Sequence, residues 1–201
     1  PWLGCFEQMH RADVFVFYDD VQFEKGSWRN RNRVKTPLGP VWLTVPVLKP
    51  GGEQSILDVR INPAVPWVKK HLRTLEINYA KAPYAAELLP GLAGVLDRGW
   101  SDLCGVNLAA TRWLAAKLGI TTPFLRSSEL GIPGRSTERL IRIIRELGGD
   151  VFYEGAAGRN YIDPAEFEAQ GIHVLFQDYR HPQYRQLHGP LSQQMARDDK
   201  E

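Results

Sequence analysis

Apolar residues along this chain fall in short blocks whose spacing switches repeatedly between a helical and an extended period. The first block, GCFEQMHRA from Gly4, has the spacing of a short helix. Asp13 then leads into VFVFY, a β-branched and aromatic run of buried-strand type. VWLTVPVL (residues 41–48) reads as a strand that Pro46 confines to an edge or an end. After the turn KPGGEQS, ILDVRI (56–61) alternates like a strand with one wet face. NPAVPW opens a helix with its body over 67–77. NYAKAPY is a loop, and AAELLPGLAGVLDRG is helical but interrupted at Pro90.

The second half is better punctuated. Asp102 is placed to cap LCGVNLAATRWLAAKLG, which Gly119 stops. Ser136 is placed to cap TERLIRIIRELGG, with Leu140, Ile144 and Leu147 on one stripe and Gly148 as its end. Between these helices TPFLRSS predicts a short strand running into a loop. DVFYEGAAG predicts a strand entering a glycine-rich turn, and a helix from Pro164 and the strand IHVLFQDY complete the pattern. Helices alternating with short apolar strands predict an α/β fold with a mostly parallel, Rossmann-like sheet flanked by helices. Residues 1–190 are expected to form a single domain, and 191–201 a flexible C-terminal tail.

Composition narrows the function classes. The 43% hydrophobic content supplies a core, and a net charge of only +2 argues against a protein that coats nucleic acid. No apolar run approaches the ~20 residues that span a bilayer. No signal peptide is recognisable, and two cysteines without metal spacing suit a reducing, cytoplasmic setting. No metal site is expected, and the cofactor is left open.

In α/β sheets ligands sit beyond the carboxyl ends of parallel strands. That rule directs attention to DDVQ, RSSEL, YEGAAGRNY and QDYRHPQY, each at a predicted strand end. Asp19 and Asp20 are adjacent, so an acid/base dyad is disfavoured. One is expected to pair with a nearby arginine while the other faces the cleft. In WRNRNRVK, extended spacing puts Arg29, Arg31, Arg33 and Lys35 on one face, either as a wet strand edge or as an anion site. A second anion candidate is the helix start with Arg135, Ser136 and Arg139, beside the turn serine Ser128. The loop with Gly155 lacks dinucleotide spacing but lets Arg159 and Tyr161 approach a ligand. His181, close to Tyr184, is the better placed histidine for general-base work, and Asp20 is the other candidate base.

The blocks PWLG, ADVFVFYDDVQFEKGSWRNRNRVKTPLG, WLTVPV, RSSEL, STERLIRIIRELGG, YEGAAGRNYID and GIHVLFQDYRHPQY occur in the order found in the bacterial WbqC-like family. The chain resembles that family over most of residues 1–190. The resemblance implies a ligand site including Asp19, Asp20, Gln22, Trp28, Asn30, Arg31 and Asn32. It also implies a link to surface-polysaccharide and sugar-nucleotide biosynthesis. The substrate expected from it is a phosphorylated or nucleotide-linked, possibly amino, sugar, to which an acyl or aminoacyl group is added. A non-catalytic nucleotide- or glycan-binding accessory role is the alternative. A strand that precedes PWLG in family members is not present in this sequence, so the sheet is expected to lack its N-terminal strand. A fainter likeness to nucleotidylyltransferase-like Rossmann proteins lacks their His-x-Gly-His sequence.

Overall fold

The structure is a computed structural model describing residues 2–24, 26–49 and 52–188. The expected C-terminal tail, 191–201, lies outside the described residues. In chain order the elements are α1 (Leu3–Arg11), β1 (Phe15–Phe17), β2 (Arg31–Thr36), β3 (Gly39–Thr44), α2 (Trp67–Tyr79) and α3 (Ala85–Leu96). They continue with α4 (Leu103–Lys117), β4 (Phe124–Arg126), α5 (Ser127–Leu130), α6 (Ser136–Glu146), β5 (Val151–Glu154), α7 (Pro164–Glu168) and β6 (His173–Phe176). Among the described residues this is a mixed α/β protein of seven α-helices and three two-stranded pairings. Two pairings, β1 with β4 and β5 with β6, are parallel; β2 with β3 is antiparallel. Among the described residues the strands do not join into one continuous sheet, so the expectation of a mostly parallel sheet holds for pairs alone. No helix among them is long and apolar enough to cross a membrane.

The chain forms two compact units that divide within α4. The first unit holds the described residues up to Val21 together with Leu114–Pro182. The second holds Gln22–Trp113 and the described residues from Gln183 onward.

The first unit has two apolar clusters. Phe6, Met9 and Ala115 pack with Phe15, Phe17 and Phe124, whose rings meet edge to face at 5.2–6.1 Å. That is why VFVFY is rich in phenylalanine: edge-to-face rings fill a small core without polar atoms. The other cluster is Ile162, Phe167, Ile172 and Val174, against which Leu140 and Ile144 of α6 pack. Phe167, with no exposed surface, stacks on Phe152 at 5.3 Å. Asp163 caps α7 by accepting from the Ala165 N–H at 3.0 Å, with Pro164 in the first turn.

The second unit is built on Val59, Ile61, Trp67, Leu103 and Val106. Asp102 caps α4 as expected, its Oδ1 accepting from the Gly105 N–H at 2.6 Å. Three expectations change here. ILDVRI is a 3₁₀ turn over Ile56–Asp58 followed by isolated bridges, because Ser55 Oγ donates to Asp58 Oδ2 at 2.6 Å and closes the chain on itself. Its alternation still buries Val59 and Ile61. Pro90 does not interrupt α3, which runs through it. The hydrogen bond it removes would reach Ala86 near the helix start, where the chain is exposed and the carbonyl is open to solvent. In the first unit, RSSEL closes into α5 rather than staying a loop, ended by Gly131 at φ 64°.

Replacing Phe167 by Ala removes a fully buried ring and is expected to cost about 3–5 kcal/mol in urea unfolding. A loss below about 1 kcal/mol would show that this cluster does not hold the first unit together.

Candidate functional site

The parallel register of β1 and β4 sets Phe17 beside Arg126, so the residues that follow both strands emerge together. Asp19 is 4% exposed, and its carboxylate is fully engaged. Oδ1 accepts from the Ser128 N–H at 3.1 Å and lies 3.2 Å from Ser127 Oγ. Oδ2 accepts from Arg126 Nε at 2.7 Å and Ser128 Oγ at 2.9 Å. Asp20 accepts from both terminal nitrogens of Arg139, at 2.9 and 2.5 Å, and from Ser127 Oγ at 2.6 Å. Arg139 is itself buried; its Nε donates to the Ile132 carbonyl at 2.8 Å, and its guanidinium lies 5.1 Å from the Tyr18 ring centre.

These bonds decide the charge state. The Arg139 guanidinium holds the Asp20 carboxyl below the ordinary aspartate range, more than burial raises it. For Asp19 burial pushes upward, but the bonds from Arg126 and Ser128 outweigh it and the net direction is down. Both carboxylates are thus fixed anions, each with its own arginine. The expectation that one would face a cleft is corrected: both pair. Arg139, expected to hold a ligand anion, already holds Asp20.

The ends of β5 and β6 carry a different chemistry. Glu154 closes β5, and its Oε1 accepts from the Gly155 N–H at 2.9 Å and the Tyr161 hydroxyl at 3.3 Å. Burial pushes the Glu154 carboxyl above the ordinary glutamate range, and those two bonds offset it in part. Gly158 is required here: a Cβ would stand 2.4 Å from Glu154 Cγ. Arg159 is exposed, with its guanidinium 4.7 Å from the centre of the Phe176 ring. Gly155 and Tyr161 both donate to Glu154, which sequence reasoning passed over although it stands between a strand and a glycine, while Arg159 lies against Phe176. Gln177, just after β6, was also missed. It is 2% exposed and donates to the Gly4 carbonyl at 2.7 Å and to Glu7 at 2.5 Å. Glu7 also accepts from the Tyr153 hydroxyl at 2.9 Å and from Arg11 at 3.2 Å. Burial pushes Glu7 up, but bonds from Gln177, Tyr153 and Arg11 leave it low.

The remaining residues of the first unit are less engaged. Arg135 and Ser136 are exposed at the start of α6. Ser136 takes φ 48°, and α6 has no side-chain cap, so its expected capping role is not met. His181 is exposed, with Nδ1 3.0 Å from the Pro182 carbonyl.

In the second unit, Arg29 precedes β2 and pairs with Glu24 at 3.2 Å, so three rather than four cations share the strand face. Arg33 lies opposite Trp42 in the hairpin. Trp28 and Trp42 stand 5.2 Å apart, with the Arg31 guanidinium 4.2 Å from the Trp42 ring centre. Asn30 is buried and ties the hairpin, its Nδ2 donating to the Val45 carbonyl at 3.1 Å. Asn32 Oδ1 accepts from the Arg33 N–H at 2.7 Å, so both asparagines serve the local backbone. Gln22 bridges to Ser55 and is exposed, as is Tyr184. Among the described residues no group of three or more His, Cys, Asp or Glu side chains is arranged to hold a metal ion.

The fold is mixed α/β, and comparison of the sequence with known proteins gives its family. The chain belongs to the WbqC-like protein family, whose model matches residues 1–197. It is 35% identical over 192 residues to the uncharacterized protein Rv1507c of Mycobacterium tuberculosis, covering 94% of this chain and 83% of that protein. No solved structure is a match.

The lowered aspartates carry a sign that can be checked. Their contribution to stability is complete above the ordinary aspartate value of about 3.9 and is lost as pH falls through the lower folded values. Urea midpoints should therefore drop between about pH 4 and pH 2, and Asp20→Asn should flatten that drop. Arg139→Gln strands a part-buried Asp20 charge and is expected to cost on the order of 3 kcal/mol at neutral pH.

Proposed function

We propose that this protein is a transferase that modifies a nucleotide-activated amino sugar in surface-polysaccharide biosynthesis in the cytoplasm. The family resemblance supports the substrate class. The observation that carries the chemistry is the turn after β5, where Glu154, with its raised proton affinity, accepts from the exposed Tyr161 hydroxyl, and the same turn carries the exposed Arg159. A carboxyl tuned upward by burial is suited to general acid–base work near neutral pH. Arg159 supplies a planar donor fork for phosphate, and Tyr161 orients the carboxyl through its hydroxyl. Arg135 and Ser136, exposed at the start of α6, are further anion-binding residues in this reading, whereas Ser128 already gives its N–H and hydroxyl to Asp19.

The substrate amine attacks an activated acyl carbonyl, and Glu154 takes the proton the amine loses. The amide forms as the bond between the acyl carbon and the donor's activating group breaks, and that leaving group receives the proton from Glu154. Asp20, clamped by Arg139, is a poor acceptor because protonation would cost it two charge-assisted bonds. It acts instead by fixing the ends of β1 and α6. The two parallel pairs of the first unit are read as parts of a Rossmann-like arrangement, with ligands beyond their carboxyl ends.

A second reading, a non-catalytic binding protein for a nucleotide or glycan, is favoured by the saturation of Asp19 and Asp20. Turnover separates the two. Purified protein given amino-sugar nucleotides and activated acyl donors should release acylated sugar, and Glu154→Gln should lower kcat by about 100-fold or more with little change in substrate binding. If His181→Ala alone abolishes turnover, His181 is the base. Tight binding without turnover across the panel would leave the accessory reading.

A further inference from the structure

The second unit contains a groove of ≈ 850 Å³ between the β2–β3 hairpin and α2. Its size falls in the range that holds a nucleotide-sized ligand. Trp42 and Thr44 line it from β3, Pro66 from the approach to α2, and Lys69, Lys70 and Arg73 from α2. Lys69 and Arg73 are four residues apart and so lie on one helix face. No aspartate or glutamate lines the groove. Glu76 approaches Arg73 at 3.7 Å, but both side chains are more than half exposed and such a pair is weak. His71 also lines the groove; burial lowers its pKa, so it adds no charge at neutral pH, and its Nε2 is 3.1 Å from the Thr44 carbonyl.

The Trp42 end is aromatic. Arg31 lies over Trp42 at 4.2 Å and Arg33 at 5.2 Å, and both Trp42 and Arg31 are exposed. A tryptophan–arginine stack is a platform on which a planar base can lie. The α2 cations Lys69, Lys70 and Arg73 line a separate wall.

We propose that this groove binds a nucleoside diphosphate, its base on the Trp42–Arg31 platform and its phosphates on Lys69, Lys70 and Arg73. Of the neighbouring exposed indoles Trp28 and Trp42, only Trp42 lines the groove, which suits a single nucleotide better than a strand of nucleic acid using successive aromatic platforms along a charged track. The near-neutral charge of the chain points the same way. This site belongs to the second unit alone and does not depend on the transferase reading, because bare nucleotides test it by binding without turnover.

The test is calorimetric titration of the full chain with uridine, adenosine and guanosine diphosphates, uridine, inorganic pyrophosphate and a single-stranded RNA decamer. At least one diphosphate should bind one to one, with uridine and pyrophosphate each weaker by about tenfold or more. Added salt should weaken the diphosphate. Trp42→Ala should weaken it about tenfold or more. Lys69→Glu with Lys70→Glu, a surface change that leaves the hairpin intact, should do the same, with circular dichroism unchanged in both variants. Failure of every diphosphate to bind, binding that neither variant weakens, or binding of the RNA alone would each overturn the site.

Discussion

The bidentate pair between Asp20 and Arg139 is the constraint on which the first unit depends. Through it the chain after β1 is tied to α6, and through Ser127 the same carboxylate is tied to the start of α5. Asp19 repeats the device on Arg126 and Ser128. Two adjacent carboxylates would repel each other if they shared one site. Here both approach the Ser127 hydroxyl, and each takes its own arginine, which offsets the repulsion locally. Buried arginines and buried carboxylates are each unfavourable alone, so the four charges depend on one another.

Glu154 shows what happens when the arginine is withheld. It too ends a parallel strand, yet it receives one backbone N–H and one tyrosine hydroxyl and no full positive charge. Burial then dominates and its proton affinity rises. The first unit thus carries two kinds of carboxyl at the ends of parallel strands: anions held down by arginines, and one whose proton affinity burial raises. The second unit inverts the balance, with cations and indoles lining a groove free of lining carboxylates.

Much of the architecture was legible because it rests on local pattern. VFVFY, VFYE and HVLF read as strands, and α4 and α6 read as helices, since apolar spacing and stops are written in neighbouring residues. The family was legible in the same blocks, and its model covers residues 1–197. Where one side chain redirected the backbone, the pattern misled: Ser55 with Asp58 turned an alternating ILDVRI into a 3₁₀ turn. Charge partners were least legible, because Arg139 is 119 positions from Asp20. Hence Arg139 was expected at a ligand, Asn30 was expected to face a substrate although it ties a hairpin, and Glu154 passed unnoticed. Its character comes from burial by Gly158 and Phe176 nearby, which spacing does not record.

The most direct measurement is a carbon-13 NMR titration of the side-chain carboxyls, assigned by Asp19→Asn, Asp20→Asn and Glu154→Gln. Asp19 and Asp20 should ionise below the ordinary aspartate value of about 3.9, and Glu154 above the ordinary glutamate value of about 4.3. Glu154 titrating at or below that value, or either aspartate at or above its own, would contradict the division between fixed anions and a proton-exchanging group.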